Sequence, residues 1–156
     1  PSNTALCVGP NIEYVRVKSF NPYTGAEAIY IVAKALVSTW FSPKAAELSL
    51  EDYKPGDKLI PFKVLDGTFK GSELVGIRYH QLIPWFKPLE GDAFRVIPGD
   101  YVSIDEGTTG IVHIAPTFGA DDKKVATAAG IPPMMVLDKN GNMQPQIDHD
   151  GRFYPL

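Results

Sequence analysis

The chain has 156 residues, 44% of them hydrophobic and 21% charged, which is typical of a soluble globular domain. Its formal net charge of −3 excludes a general attraction for nucleic acid, and no apolar run approaches the ~20 residues needed to span a membrane. The single cysteine, Cys7, excludes an internal disulfide. The length predicts one domain over residues 1–156. Because the sequence opens with PSNTALCVGP, without an initiator Met or a signal peptide, we expect a segment of a longer protein.

The first half of the chain reads mainly as strand. Apolar runs predict strands at 4–8 and 12–20, and residues 28–41 predict a strand that runs into a short helix. Ser42 as N-cap and Pro43 at the first helical position predict a second helix, which Pro55-Gly56 ends. Asp66-Gly67 predicts a hairpin within residues 59–71.

The second half continues this pattern. Strands are predicted at 72–79, on both sides of a turn at Pro98-Gly99 within 93–107, and at 109–116, with a Pro-rich aromatic loop at 80–92. A short helix is predicted at 120–130 and a hairpin around Asn140-Gly141. Many short strands with glycine turns predict a mostly β fold with short helices, of the α+β class, closed or nearly closed into a β-barrel.

The densest stretch is GTTGIVHIAPTFGADD, residues 107–122. Period-2 alternation puts Ile111 and His113 on one face of its strand and Ile114 on the other. Taken alone, His113 is most simply a core histidine bonded to a backbone carbonyl, and Asp122 a helix cap. Taken together, a strand end and a helix start are where polar groups converge on a pocket.

Other motifs carry less weight. Residues 138–149 superficially match a calcium loop, but Met143 and His149 stand where that loop needs glycine and glutamate, so a hairpin is favoured. One cysteine and three scattered histidines argue against zinc, and no metal site is predicted. His80 lies in the aromatic loop, where a surface or stacking role is the default. We see no phosphate-binding loop and no nucleophile elbow.

Three segments resemble one family. PSNTALCVGPNIEYV, KGSELVGIRY and GTTGIVHIAPTFGADD resemble, in this order and spacing, the editing (CP1) domain of isoleucyl-tRNA synthetases, which are class I aminoacyl-tRNA synthetases. The histidine in VHIAP favours the isoleucyl enzymes over the valyl and leucyl enzymes. The resemblance implies a β-barrel inserted in a Rossmann catalytic domain. It also implies hydrolysis of valine attached to tRNA(Ile), and of valyl-adenylate, in double-sieve proofreading.

The resemblance also implies roles for four residues. His113 and Asp122 would be catalytic, and Asn3, Phe118 and Asp122 would bind substrate. Asp122 would hold the α-ammonium through a charge-assisted hydrogen bond, and His113 would line the side-chain pocket and help fix the substrate or the attacking water. Asn3 would give polar support, and Phe118 would pack nearby. Attack by a positioned water, with hydrogen-bond donors for the oxyanion, fits better than a covalent nucleophile.

The sequence departs from the family in two places. A threonine-rich strand precedes Pro-Ser-Asn in the family, whereas this chain begins at Pro1, so we expect an incomplete site edge and weak activity of the isolated segment. Gly107-Thr108-Thr109-Gly110 stands where the family usually has Gly-Thr-Gly.

The implied setting is a cytoplasmic, monomeric synthetase without a membrane partner. Its partners would be valine-carrying tRNA(Ile) and valyl-adenylate. ATP would serve the parent synthetase, and the editing domain would need no cofactor.

Two alternatives stay open. One is the editing domain of a valyl- or leucyl-tRNA synthetase. The other is a non-catalytic β-barrel binding module, in which the loop YHQLIPWF holds a peptide or an oligonucleotide and His113 and Asp122 are structural.

Overall fold

The structure is a computed structural model and describes residues 1–154. Its strands are β1 (Ala5–Val8), β2 (Glu13–Phe20), β3 (Glu27–Ala33), β4 (Lys63–Lys70), β5 (Arg95–Pro98), β6 (Ile111–Ile114), β7 (Met135–Leu137) and β8 (Met143–Pro145). Its α-helices are α1 (Val37–Trp40) and α2 (Ala120–Ala128), and 3-10 turns lie at Lys34–Leu36, Pro43–Ala45, Leu50–Asp52 and Gly71–Glu73. The prediction of a mostly β chain with short helices is therefore confirmed.

The strands of residues 1–154 form three sheets, ordered β5-β1-β6, β3-β2-β4 and β7-β8. Closure of a barrel is not confirmed by these sheets and stays a prediction. None of the helices described here is long and apolar enough to cross a membrane.

The described residues divide into two compact units. The first comprises residues 1–8, 74–99 and 112–154, and the second comprises Gly9–Glu73 and Asp100–Ile111. The single domain predicted for residues 1–156 stays a prediction.

The second unit is built on an antiparallel sheet in which β2 pairs with β3 on one side and with β4 on the other. The hairpin predicted at Asp66-Gly67 is wrong, because β4 runs through both residues as one strand. The register shifts between Val15 and Val17, and Gly67 has a φ of +98°. A β-bulge with glycine in the left-handed region explains why this dipeptide mimics a turn signal.

The helix predicted from Ser42 is also wrong. Residues 43–52 form two separate 3-10 turns, and the side chain of Ser42 makes no cap hydrogen bond. Ser49 instead accepts the backbone N–H of Glu51, which starts the second turn anew. A local side-chain bond that competes with a continuous helix accounts for the break.

The first unit has β1 at the centre of its sheet, parallel to β5 and hydrogen-bonded on its other side to β6. Fully buried side chains of this unit include Cys7, Ile97, Ile114 and Met134. The strand predicted at 72–79 is wrong: its residues form a 3-10 turn and then a single bridge between Arg78 and Arg95. Gly76, with a φ of +89°, interrupts any regular pairing there.

The prediction for 93–107 is half right. β5 ends at Pro98, as predicted, but no second strand follows Gly99. Residues 104–107 are exposed, and the N–H of Thr108 donates to the carbonyl of Asp105, which forms a turn where the strand was predicted.

Candidate functional site

The exit of β6 and the start of α2 form one tight structural element. The backbone N–H groups of Phe118 and Gly119 both donate to the carbonyl of Ala115, each at 3.1 Å, and α2 begins directly after Gly119. Asp121 and Asp122 occupy the first turn of α2, where negative charge favours the helix dipole. The predicted strand, turn and helix at 109–130 are confirmed.

Asp122 ties this element together. Its Oδ2 accepts the backbone N–H of Ala115 at 2.8 Å. Gly119 packs so closely on the carboxylate that a Cβ there would lie 2.9 Å from Cγ of Asp122. The expectation of a simple helix cap is wrong, since the bond goes to the strand exit and not to an N–H of α2. Within residues 1–154 the other oxygen, Oδ1, has no hydrogen-bond partner, and the side chain is half-buried.

A cavity of about 600 Å³ in the first unit brings three predicted residues together. Asn3, His113 and Phe118 all line it. His113 is exposed, so a core histidine is wrong; the buried position of β6 is Ile114, with no exposed surface. Alternation along the strand accounts for this, because adjacent side chains point to opposite faces.

Asp122 is not in the cavity wall. It lies one hydrogen bond behind it, through Ala115, which is a wall residue. The structure therefore gathers Asn3, His113 and Phe118 in one cavity, with Asp122 beside it.

A second group of residues lines the same cavity, from a loop that the sequence implicates only in the binding-module alternative. Tyr79 and His80 line the cavity, as do the next three residues of the same segment, Gln81, Leu82 and Ile83. The hydroxyl of Tyr79 donates to Oδ1 of Asn3, and burial raises the pKa of Tyr79 to about 12, against the opposing effect of that hydrogen bond. The available signal was an aromatic residue and a histidine ahead of an apolar run in a Pro-rich loop.

The same loop is anchored at its far end. Nε2 of Gln81 donates to the carbonyl of Phe86 at 2.8 Å. The ring of Phe153 packs edge-on against Trp85, with centroids 5.1 Å apart, and stacks with Phe86 at 6.1 Å. These contacts hold the segment that carries the cavity wall in a defined course.

The C-terminal end of α2 is held separately. Gly130, with a φ of +68°, lets the N–H of Ile131 reach the carbonyl of Ala126 at 2.8 Å, and Nη2 of Arg95 donates to the carbonyl of Ala129 at 2.5 Å. Asp92 pairs with Arg95 at 3.4 Å, and the hydrogen bond from Arg78 is the main cause that lowers the pKa of the Asp92 carboxyl. Since Asp122 stands at the other end of α2, these contacts also help to place it.

No group of three or more His, Cys, Asp or Glu side chains able to hold a metal ion occurs within residues 1–154. The calcium-like segment is a hairpin of β7 and β8. In its turn, Oδ1 of Asp138 accepts the N–H groups of Asn140 and Asn142, and these bonds, chiefly those of Asn142, lower the pKa of Asp138. The predicted hairpin is confirmed.

The second unit has its own cavity, of about 430 Å³, with an aromatic wall that includes Trp40 and Phe41. None of the predicted site residues lines it.

Comparison with known proteins identifies the relatives of the chain. No family model matches it. The isoleucine–tRNA ligase of Bacteroides fragilis is 62% identical over all 156 residues, that of Porphyromonas gingivalis 56% identical over 99% of the chain, and the cytoplasmic isoleucine–tRNA ligase of Arabidopsis thaliana 37% identical over 98%. The chain is homologous to a segment of isoleucine–tRNA ligases.

The matched segment is a small part of each relative. The chain spans 13% of the B. fragilis ligase, 14% of the P. gingivalis ligase and 13% of the A. thaliana ligase. Among solved structures, the crystal structure of GlLeuRS-CP1 has a TM-score of 0.49 and 17% sequence identity, covering 81% of this chain and 38% of that one.

Proposed function

We propose that the chain is the editing domain of an isoleucyl-tRNA synthetase and hydrolyses valine from tRNA(Ile), and valyl-adenylate, in the cavity of the first unit. One observation carries this: Asn3, from the start of the sequence, lines one cavity with His113 and Phe118 of the 107–122 stretch, beside Asp122. The relatives support the choice of parent enzyme in this proposal, because they are named isoleucine–tRNA ligases. Closure of the sheets into a barrel, cytoplasmic location, a monomeric parent and ATP use by that parent belong to the same proposal.

Asp122 is the proposed acceptor for the α-ammonium of the aminoacyl group. Its two oxygens have different roles in this proposal. Oδ2 accepts the N–H of Ala115, and Oδ1, which has no partner within residues 1–154, would accept the ammonium. A charged acceptor makes a hydrogen bond roughly twice as strong as a neutral one. The N–H of Ala115 also keeps the carboxylate from rotating away, so the acceptor is fixed before substrate arrives.

His113 is the proposed wall of the side-chain pocket and a partner for the attacking water. Its imidazole is exposed to the cavity and carries both a donor and an acceptor when neutral. Phe118, 59% exposed, adds apolar surface to the same wall. Asn3 supplies an amide N–H that can stabilise the oxyanion formed when water adds to the ester carbonyl.

The selectivity problem explains why a second site is useful. A pocket that accepts isoleucine rejects valine by only ~1–3 kcal/mol, a limit for which isoleucyl-tRNA synthetase is itself the established example. A hydrolytic pocket that admits valine and excludes isoleucine adds an independent steric test, and the correct product then escapes hydrolysis.

The test uses the full synthetase that carries this sequence. Purified valyl-tRNA(Ile) and isoleucyl-tRNA(Ile) are incubated separately with the enzyme, and deacylation is followed over time. We expect rapid loss of valine and retention of isoleucine. Stable valyl-tRNA(Ile) would overturn the proposal. Preferential hydrolysis of threonyl-tRNA(Val) would favour the valyl enzyme.

The binding-module alternative has one specific observation in its favour. Leu82 and Trp85, in the loop YHQLIPWF, are 93% and 58% exposed. A module of this kind would bind peptide or oligonucleotide without hydrolysing any aminoacyl ester, so the same deacylation assay separates the two functions.

A further inference from the structure

The amide of Asn3 is held at both ends. Its Nδ2 donates to the carbonyl of Ala5 at 2.6 Å, and its Oδ1 accepts the hydroxyl of Tyr79. An asparagine amide has two N–H donors, so one N–H of Nδ2 remains for a group in the cavity that Asn3 lines. The direction of that N–H depends on both contacts.

Tyr79 is itself rigidly placed. Its backbone N–H donates to the carbonyl of Phe94 at 3.0 Å, and its ring meets that of Phe94 edge-on, with centroids 6.0 Å apart. Phe94 adopts a φ of +60°, which an aromatic residue adopts only when its surroundings impose it. Its own N–H donates to the carbonyl of Thr4 at 2.7 Å, next to Asn3 in the chain. Tyr79 is thus connected through Phe94 to Thr4, the residue that follows Asn3.

The state of the phenol suits this task. Because burial raises the pKa of Tyr79 to about 12, its hydroxyl stays protonated throughout neutral and mildly alkaline pH. The carbonyl of Ala5 can only accept, so it keeps Nδ2 on its side, and the protonated phenol then donates to Oδ1. Together the two contacts hold the amide in one of its two flipped orientations.

The geometry points to Tyr79 as a positioning residue, which fixes the Asn3 amide so that its free N–H faces the carbonyl oxygen of the aminoacyl ester. This rests on the proposed function of the cavity. Tyr79 does not exchange a proton in the reaction; it sets the direction of a donor that acts in the transition state.

A double-mutant cycle on deacylation of valyl-tRNA(Ile) by the full synthetase tests this. Tyr79→Phe keeps the ring and its contact with Phe94 and removes only the hydroxyl. We expect kcat to fall about 10-fold with KM within about twofold, since the donor acts mainly on the transition state. Asn3→Ala should lower kcat about 10²-fold, as loss of an oxyanion donor does. The double variant should match Asn3→Ala alone.

The control is Tyr23→Phe, which removes a hydroxyl from a side chain that is 94% exposed, and should leave kcat and KM unchanged. Independent, multiplicative effects of Tyr79→Phe and Asn3→Ala would overturn the inference, because residues that act through one another are not additive.

A second measurement separates this inference from the proposed function. The side-chain amide protons of Asn3 are followed by NMR in the 156-residue chain. We expect Tyr79→Phe to shift these signals and to speed their exchange with water, and Tyr23→Phe to leave them unchanged. If the wild-type synthetase hydrolyses no aminoacyl ester, the proposed function fails while the NMR result still decides whether Tyr79 positions Asn3. If hydrolysis occurs but the signals are indifferent to Tyr79→Phe, the positioning role fails alone.

Discussion

Replacement of Asp122 by Asn separates the structural contact of this carboxylate with Ala115 from the substrate binding that we propose for it. The asparagine carbonyl can still accept the N–H of Ala115, so the junction of β6 and α2 is kept. The charge that would bind the substrate ammonium is lost. A hydrogen bond to a charged group contributes about 1.5–3 kcal/mol and a neutral one about 1 kcal/mol. The difference, about 0.5–2 kcal/mol, predicts a roughly 2- to 30-fold fall in kcat/KM for deacylation of valyl-tRNA(Ile).

Asp122→Ala should lower kcat/KM further than Asp122→Asn and should also lower the free energy of unfolding. It leaves the N–H of Ala115 without a partner, which costs about 1–3 kcal/mol, and removes a favourable charge from the first turn of α2, about 0.3–1 kcal/mol. Denaturant unfolding of the 156-residue chain measures this loss. Asp121→Asn, an exposed neighbour in the same turn, is the matched control and should change neither property by much. If Asp122→Asn hydrolyses as fast as wild type while Asp122→Ala fails in proportion to its lost stability, Asp122 is structural and the ammonium-binding role is refuted.

Three further predictions follow from other contacts. His113→Ala should let isoleucyl-tRNA(Ile) be hydrolysed as well as valyl-tRNA(Ile), whereas His149→Ala should not; complete sparing of isoleucine by His113→Ala would remove His113 from the sieve. Arg95→Met should free the carbonyl of Ala129 and speed hydrogen exchange at residues 129–131, seen by NMR, with unchanged exchange counting against the anchor. Asp138 has a lowered pKa, so its stabilisation of the hairpin is present above its unfolded pKa of about 3.9 and is lost as pH falls through the lower folded value. The N–H signals of Asn140 and Asn142 should report this loss below about pH 4, and their indifference to pH in Asp138→Asn is the control.

Local chemistry decided which elements were predictable. The elements predicted correctly depend on nearby residues. β6 is an apolar run before Pro116, and α2 has an acidic first turn and ends before Gly130. The hairpin of β7 and β8 is closed by the turn around Asp138. Errors occurred where the same local signals serve a longer-range structure. Asp66-Gly67 has the chemistry of a hairpin turn, yet pairing with β2 extends the strand through it as a bulge.

The candidate site was predictable in part for the same reason. His113 and Asp122 lie nine residues apart on one strand-turn-helix element, so the sequence alone predicts that they are close in space. Tyr79 and His80 reach the same cavity only through tertiary contacts, and no periodicity links them to Asn3, 76 residues from Tyr79. The family resemblance supplied Asn3 and Phe118, whereas Tyr79 and His80 became part of the site only in the three-dimensional structure.

The volume of the cavity limits how the proposed sieve can work. About 600 Å³ lies in the middle of the ~300–1,000 Å³ range of small-molecule pockets, far more than one methylene occupies. Total volume therefore cannot separate valine from isoleucine, and exclusion must come from a short stretch of wall that the branched side chain touches. Two lining residues differ in how firmly they are held. Leu82 is 93% exposed to solvent. His113 lies on a hydrogen-bonded strand whose next residue, Ile114, is fully buried. A wall that must resist one methylene has to be rigid, because a mobile side chain would yield to it. We therefore expect the steric test of the proposed sieve on the strand that carries His113.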